Sequence, residues 1–227
     1  VSINRRKVLG GAGLAGAAAA TGVGVDHLVS GHRTDKGASL TDDAARFGDP
    51  RIPAETTTSH SHLFHLGAQP LNSFDGGSLQ QADEETFPIL KGQAASIVSL
   101  TLKPGGIREP HWHPSAWEIN IVTKGVASWA LVDGNGNHEN FDQKVGDVVF
   151  APQGSFHYFE NRGTDDLKIV IVQNTSAPEA KDNIGIGESI SKLPPRVLSA
   201  VFGVPEKTFE SFKKIDKTIV ILRRHEQ

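Results

Sequence analysis

An all-β domain, a sandwich or barrel of antiparallel strands, is the architecture that this 227-residue chain predicts. Three observations lead there. Short segments rich in Val, Ile, Leu, Thr and Phe recur along residues 86–175, their spacing is regular, and turns of Gly, Pro, Asn and Asp separate them.

The elements follow in order. Arg5-Arg6-Lys7 opens a basic head, and an uncharged Gly/Ala-rich run extends to Val25. This segment, residues 1–25, resembles a twin-arginine export signal, with cleavage expected near Ala17–Ala20; the other reading is an N-terminal helix. The resemblance implies passage through the twin-arginine machinery of a bacterial cell to the periplasm or beyond. As a permanent membrane span the run is too short and too weakly apolar. Residues 26–85 read as an N-terminal arm with lead-in strands. Asp26, His27, Asp35, Asp42 and Asp43 belong to its solvated part, and Leu63, Phe64 and Leu66 predict a short strand.

Residues 86–175 are the expected barrel core. Ala95–Leu102 is strand-like and ends in Lys103-Pro104-Gly105-Gly106, a turn signal. Glu118–Val122, Ala127–Val132, Gly146–Ala151, Ser155–Glu160 and Leu167–Val172 are further strands, and Asp133-Gly134-Asn135-Gly136 is a hairpin turn. Residues 173–187 break the pattern and predict a mobile loop. Helical turns are expected over Glu188–Leu193, Pro195–Phe202 and Pro205–Lys214. Thr218–Leu222 predicts an edge strand or a contact with a neighbouring subunit. Residues 176–227 thus form a lid-like loop and a C-terminal helical extension.

Composition excludes several classes of function. The formal net charge is −3, so no basic footprint points to nucleic acid. There is no Cys, which removes disulfides, thiolate metal sites and cysteine nucleophiles. The chain has no Gly-rich phosphate loop and no serine nucleophile elbow.

What remains is a metal constellation. His111 and His113 alternate within a predicted strand, so both can face inward. Glu118 begins the next strand after a short turn, and His157 comes from a distant one. Three neutral imidazoles and one carboxylate suit a first-row divalent ion: Mn, Fe, Co, Ni, Cu or Zn. Four protein ligands leave open positions, the mark of a catalytic rather than a structural site. Arg108, three residues before His111, can hold a substrate carboxylate by a bidentate charged fork; its alternative is a surface pair with Glu109. His60, His62 and His65 read as exposed or structural, and Trp112, Trp117 and Trp129 as core or pocket wall.

At these residues the chain resembles the cupin superfamily. Gly105-x5-His111-x-His113-x4-Glu118-x6-Gly125 fits its first motif, and Gly146-x5-Pro152-x-Gly154-x2-His157-x3-Asn161 fits its second. The resemblance implies a double-stranded β-helix, a jelly-roll barrel; this chain holds one such domain where members of the most similar group typically have two, a departure that leaves a single metal site per chain. Within cupins it is most similar to the oxalate decarboxylases, through Leu102–His113, Phe156–Asn161 and Leu193–Val204. That implies manganese on His111, His113, Glu118 and His157, dioxygen as a cofactor, and Arg108 orienting oxalate, a small dicarboxylate, on its way to formate and carbon dioxide. It also implies a proton donor on a lid near residues 176–183, where Glu179 is the first candidate and Asp182 the second. The Ser-Glu-Asn-Ser lid of the decarboxylases is not matched there. Oxalate oxidase, another cupin dioxygenase and a non-enzymatic metal-binding cupin are the alternatives. Cupin barrels commonly pair, so a homo-oligomer is expected.

Overall fold

A computed structural model describes residues 61–224. The expected export segment and the arm as far as His60, including Asp26, His27, Asp35, Asp42 and Asp43, lie outside the described residues. The strands are, in chain order, β1 (Asn72–Phe74), β2 (Gly77–Ala82), β3 (Ser96–Leu102), β4 (Gly106–Trp112), β5 (Glu118–Lys124) and β6 (Val126–Val132). They continue with β7 (His138–Lys144), β8 (Val148–Ala151), β9 (Phe156–Asn161), β10 (Leu167–Gln173), β11 (Ile184–Gly185) and β12 (Ile221–Arg223). One antiparallel sheet runs β1-β2-β3-β10-β5-β8. The other runs β11-β4-β9-β6-β7, with β12 also pairing β4. These are the two sheets of a jelly roll.

Alternation builds the core. In β3, Ser96, Val98, Leu100 and Leu102 point inward; in β10, Leu167, Ile169, Ile171 and Gln173 do. The register sets Ile169 opposite Leu100 and Ile171 opposite Val98. From the other sheet, Ala127, Trp129 and Phe159 fill the same interior. The inward residues are apolar along most of each strand and polar at one end, where His111, Glu118, His157 and Gln173 gather. The strands thus form a hydrophobic floor beneath a polar pocket.

The C-terminal segment closes this floor. Ile219 and Ile221 are buried in the core, and β12 lies against β4 with Ile221 opposite Arg108. It crosses at Gly76, where a Cβ would stand 2.0 Å from the Leu222 carbonyl oxygen, so only glycine admits the crossing. The Thr218–Leu222 segment is therefore spent on its own barrel rather than on a neighbouring subunit. Three short helices precede it, α1 (Ile186–Lys192), α2 (Pro195–Phe202) and α3 (Glu206–Glu210). Pro194 and Pro195 set the start of α2 and Pro205 that of α3, and Gly203 at φ +66° ends α2. No helix among the described residues is long and apolar enough to cross a membrane.

Three expectations need correction. Residues 63–66 are not a strand: Leu66–Ala68 is a 3-10 turn, held by Gln80 Nε2 donating to the Gly67 carbonyl, and Phe64 stacks on Phe87. Residues 173–187 are not a free loop, because Glu179, Asp182, Asn183 and Gly185 are buried around a 3-10 turn (Glu179–Lys181) and β11. The third helix is shorter than Pro205–Lys214, ending at Glu210.

Candidate metal centre

The site begins with a defect in β4. Arg108 pairs with Phe159 and His111 with His157, so three steps along β4 oppose two along β9. The extra residue is a bulge at Glu109-Pro110, where proline's missing N–H removes one ladder bond. Strict alternation would put Arg108 and His111 on opposite faces. The bulge turns both inward, and each is about 1% exposed.

His113 lies just beyond β4, Glu118 opens β5, and His157 is the second residue of β9. All four are buried, and their ligand atoms lie within 4.8 Å of one another. An ion with bonds of about 2.0–2.2 Å holds opposite ligands about 4.4 Å apart, close to that span. The cluster thus draws on both sheets, at the polar end of the interior.

Backbone carbonyls set the ring tautomers. His111 Nδ1 donates to the Glu109 carbonyl (2.7 Å), His157 Nδ1 to the Ser155 carbonyl (2.9 Å), and His113 Nδ1 to the Asp182 carbonyl (2.6 Å). A carbonyl can only accept, so each Nδ1 carries the hydrogen and each neutral ring turns a lone pair on Nε2 to the centre. Glu118 faces them, 3.0 Å from His157 Nε2 and 3.3 Å from His113 Nε2. A cation among them, a metal ion or a proton on an imidazole, relieves the repulsion between buried acceptors at that distance. His157 Nε2 has no hydrogen-bond partner of its own. The donor set therefore fits a divalent metal.

Proton equilibria show the same pull. Burial would raise the Glu118 carboxyl, but His157 and His113 together hold it well below the usual carboxylate range. Burial would lower His113, yet its hydrogen bond to Glu118, the charges of Glu118 and Glu179, and the Asp182 carbonyl raise it. His111 is pushed well down by burial, by Arg108 and by the charges of His157 and His113, with Glu118 offsetting part of this. Asn120 Nδ2 donates to Glu118 Oε1 at 2.9 Å and fixes the carboxylate.

Arg108 sits beside this cluster. Its Nη2 donates to Glu179 Oε1 (2.7 Å) and Asn183 Oδ1 (2.6 Å), while Nη1 and Glu179 Oε2 are buried without partners. The guanidinium is thus not the surface partner of Glu109. Glu109 is itself buried against glycine backbone: its Oε2 accepts from the Gly187 amide at 3.1 Å, and a Cβ on Gly185 would stand 2.2 Å from its Oε1. Asp182, the second proton-donor candidate, spends its Oδ1 on the Ser115 amide (3.0 Å).

The structure brings His111, His113, Glu118, His157, Arg108 and Glu179 into one region. His62 and His65 stay exposed and apart from it. Trp129 is core and stacks on His157; Trp112 and Trp117 are half-buried. Sequence reasoning missed Asn120, Asn183 and the buried role of Glu109. Asn120 was findable, two residues from Glu118 on the same strand face.

Comparisons with known proteins agree with this geometry. The family model described as Cupin matches residues 65–210. A probable oxalate decarboxylase of Arthroderma benhamiae is 31% identical over 166 residues, 72% of this chain and 40% of that protein. Germin-like protein subfamily 2 member 2 of Arabidopsis thaliana is 26% identical over 145 residues, 63% of this chain and 66% of that protein. Among solved structures, oxalate decarboxylase from Bacillus subtilis at pH 4.6 has a TM-score of 0.65 at 22% identity, covering 76% of this chain and 44% of that one; this likeness is one of fold. The chain spans about two fifths of the length of the oxalate decarboxylases it matches. With the family model covering well over half of its residues, this chain belongs to the cupin family.

Proposed function

We propose that the protein is a manganese-dependent oxalate decarboxylase that converts oxalate to formate and carbon dioxide with dioxygen as cofactor. The observation that carries this reading is the buried Arg108–Glu179 pair beside a buried cluster of three imidazoles and one carboxylate. His111, His113, Glu118 and His157 would hold the ion. Bound manganese would supply positive charge for a substrate carboxylate and, with dioxygen, one-electron redox chemistry. Relatives named oxalate decarboxylase, at 31% and 34% identity, support the substrate class.

The chain's own residues have defined tasks. Arg108 Nη1, unpartnered, offers a charged donor to an oxalate carboxylate. Glu179 Oε2, unpartnered, offers an acceptor for the acidic proton of the oxalate monoanion. The reaction balances on that proton alone. The carbon–carbon bond breaks, one half leaves as carbon dioxide, and the bond's electron pair with the proton becomes the C–H bond of formate. Glu179 takes the proton from oxygen and returns it to carbon.

A second reading rests on how Glu179 is held. Its Oε1 is engaged by Arg108 at 2.7 Å, which ties the carboxyl to the clamp and away from the carbon that must receive a proton. Without the returned proton, one oxalate monoanion, one dioxygen and one proton give two carbon dioxide and one hydrogen peroxide, the oxidase outcome.

The deciding experiment is oxalate turnover by manganese-loaded protein of measured metal content at acidic pH, with formate and peroxide both assayed. About one formate per oxalate with little peroxide is expected. Peroxide without formate makes the protein an oxidase. Neither product at full occupancy removes oxalate and leaves another cupin dioxygenase or a non-enzymatic metal-binding cupin. Iron, cobalt, nickel, copper and zinc are tested by the same assay after exchange.

The proposal includes a homo-oligomer. The outer face of the first sheet is apolar across two rungs: Ile97, Val172, Ile119 and Phe150 in one, Val170, Ile121 and Val148 in the next. An antiparallel sheet that faces water alternates apolar with polar; this one is apolar on both faces. Beside Val148 and Phe150 runs a groove of about 500 Å³ lined by Asp133, Glu139, Asp142 and Asp147. The C-terminal extension is its complement, exposing Val197, Val201 and Phe202, with six Lys/Arg against three Asp/Glu in residues 192–217. A second copy's extension is the occupant this chemistry fits. Export through a twin-arginine signal at residues 1–25 completes the reading, and fusing that segment to a reporter and following its translocation tests it.

A further inference from the structure

Two of the three imidazoles in the cluster are oriented from close by. His111 and His157 each donate Nδ1–H to a carbonyl two residues earlier in the chain, Glu109 and Ser155. His113 differs. Its acceptor is the carbonyl of Asp182, 69 residues away, on the segment that also carries Glu179.

The Asp182 carbonyl is itself held. Asp182 Oδ1 accepts from the Ser115 amide, two residues past His113, so residue 182 grips the 113–115 corner from both its backbone and its side chain. Its own amide donates to the Glu179 carbonyl, which closes the 3-10 turn. That turn is buried through Glu179 on Arg108. The segment's ends are fixed elsewhere: Ser176 accepts from the Glu84 and Ala94 amides, and Ile184–Gly185 pair with β4. Between these anchors, residues 177–183 hydrogen-bond to the site at Arg108 and at the His113–Ser115 corner, and outside it through Lys181 to Glu85 and Asn183 to the Thr218 carbonyl.

We propose that Asp182 is a positioning residue that couples this segment to metal binding. When the segment is seated, the His113 tautomer and ring direction are fixed and the Nε2 lone pair faces its three companions. When it lifts, His113 alone among the three loses its orienting carbonyl. Linkage makes the effect reciprocal: whatever the seated segment adds to metal affinity, bound metal adds to seating of the segment. Metal occupancy is thereby reported to the part of the chain that places Glu179. This inference rests on the metal reading of the cluster, and its test separates the two.

The experiment is amide hydrogen exchange of the full chain, chelator-treated and then titrated with Mn²⁺ alone, paired with chelator competition for affinity. Manganese slows exchange of the Lys181 and Asp182 amides. In chelator-treated protein, His113→Ala speeds exchange over 177–183, whereas His157→Ala leaves it unchanged. Asp182→Ala, which frees the carbonyl from the Ser115 anchor, weakens manganese binding about tenfold, as expected for a group orienting a ligand. Asp182→Asn, which keeps an acceptor for Ser115 and folds on the same contacts, retains wild-type affinity. Stoichiometric manganese binding with unchanged exchange over 177–183 and wild-type affinity in Asp182→Ala overturns the coupling and leaves the metal site standing. No manganese binding by the wild type overturns both.

Discussion

Asn183 joins Arg108 to the C-terminal segment: its Oδ1 accepts from Arg108 Nη2 at 2.6 Å while its Nδ2 donates to the Thr218 carbonyl. One amide thus serves the proposed substrate clamp and the approach to β12. Asn183→Ala leaves the Thr218 carbonyl unpaired and Arg108 with Glu179 as its remaining neighbour. A loss of about 1–3 kcal/mol is expected, the range for hydrogen bonds to charged or buried groups. Urea denaturation of variant and wild type measures it, and the Michaelis constant for oxalate should rise with it.

Glu109 makes stability depend on pH. Burial raises its carboxyl above the usual value near 4.5, with the Gly187 amide and Arg108 offsetting part of this and Glu188 adding to it. A carboxyl raised in the folded state holds its proton longer than in the unfolded chain. Its contribution is therefore complete below about 4.5 and is lost as pH rises through the higher folded value. Glu109→Gln keeps an acceptor for Gly187 and carries no charge. In chelator-treated protein its melting temperature should exceed wild type at pH 7, and the gap should close near pH 4.

Chelation should destabilise the fold. Without a cation, three Nε2 atoms confront the Glu118 carboxylate in a buried pocket. At a free ion concentration of about 100 times the dissociation constant, the bound metal adds about 2.7 kcal/mol to unfolding. The melting temperature should fall on treatment with EDTA and recover with manganese. Glu118→Gln, lacking the anionic ligand, should respond to neither.

The apolar sheet face should be covered in solution. Light scattering on the eluting wild-type protein should give a multiple of the 24.3 kDa chain mass. Phe150→Lys on the sheet and Val201→Glu on α2 should each shift it toward monomer, and high salt should weaken the acidic–basic match. A monomeric wild type at micromolar concentration removes this part of the proposal.

Much of this arrangement was legible in the sequence. The alternating runs of β3, β5 and β10 and their Gly turns gave the sheets away, and the spacing of the His and Glu candidates marked the pocket. Other parts were not. β7 is almost wholly exposed, so His-Glu-Asn-Phe-Asp-Gln-Lys carries no apolar alternation to read. The inward turn of Arg108 depends on the bulge; Pro110 hinted at it, but only the pairing with β9 sets where the extra residue falls. The segment 177–183 looked like a loop because what holds it, Arg108, Ser115 and the His113 ring, lies far away in sequence. A backbone carbonyl leaves no trace in residue identity, so Asp182 read as a carboxylate when its main contact with the cluster is through the peptide.

The lateral pairing of β4 gives the site a place in time. Among the described residues, the edge of β4 away from β9 is covered by Ile184–Gly185 at one end and by residues 220–223 at the other. A chain emerging from the ribosome can assemble the first sheet once Gln173 is out, and Gly185 then covers β4 at His111, but the Arg108 end of the strand stays uncovered until the 220–223 stretch has been synthesised. The Arg108 end of the pocket is therefore among the last parts of this barrel to be covered, after translation has passed Arg223.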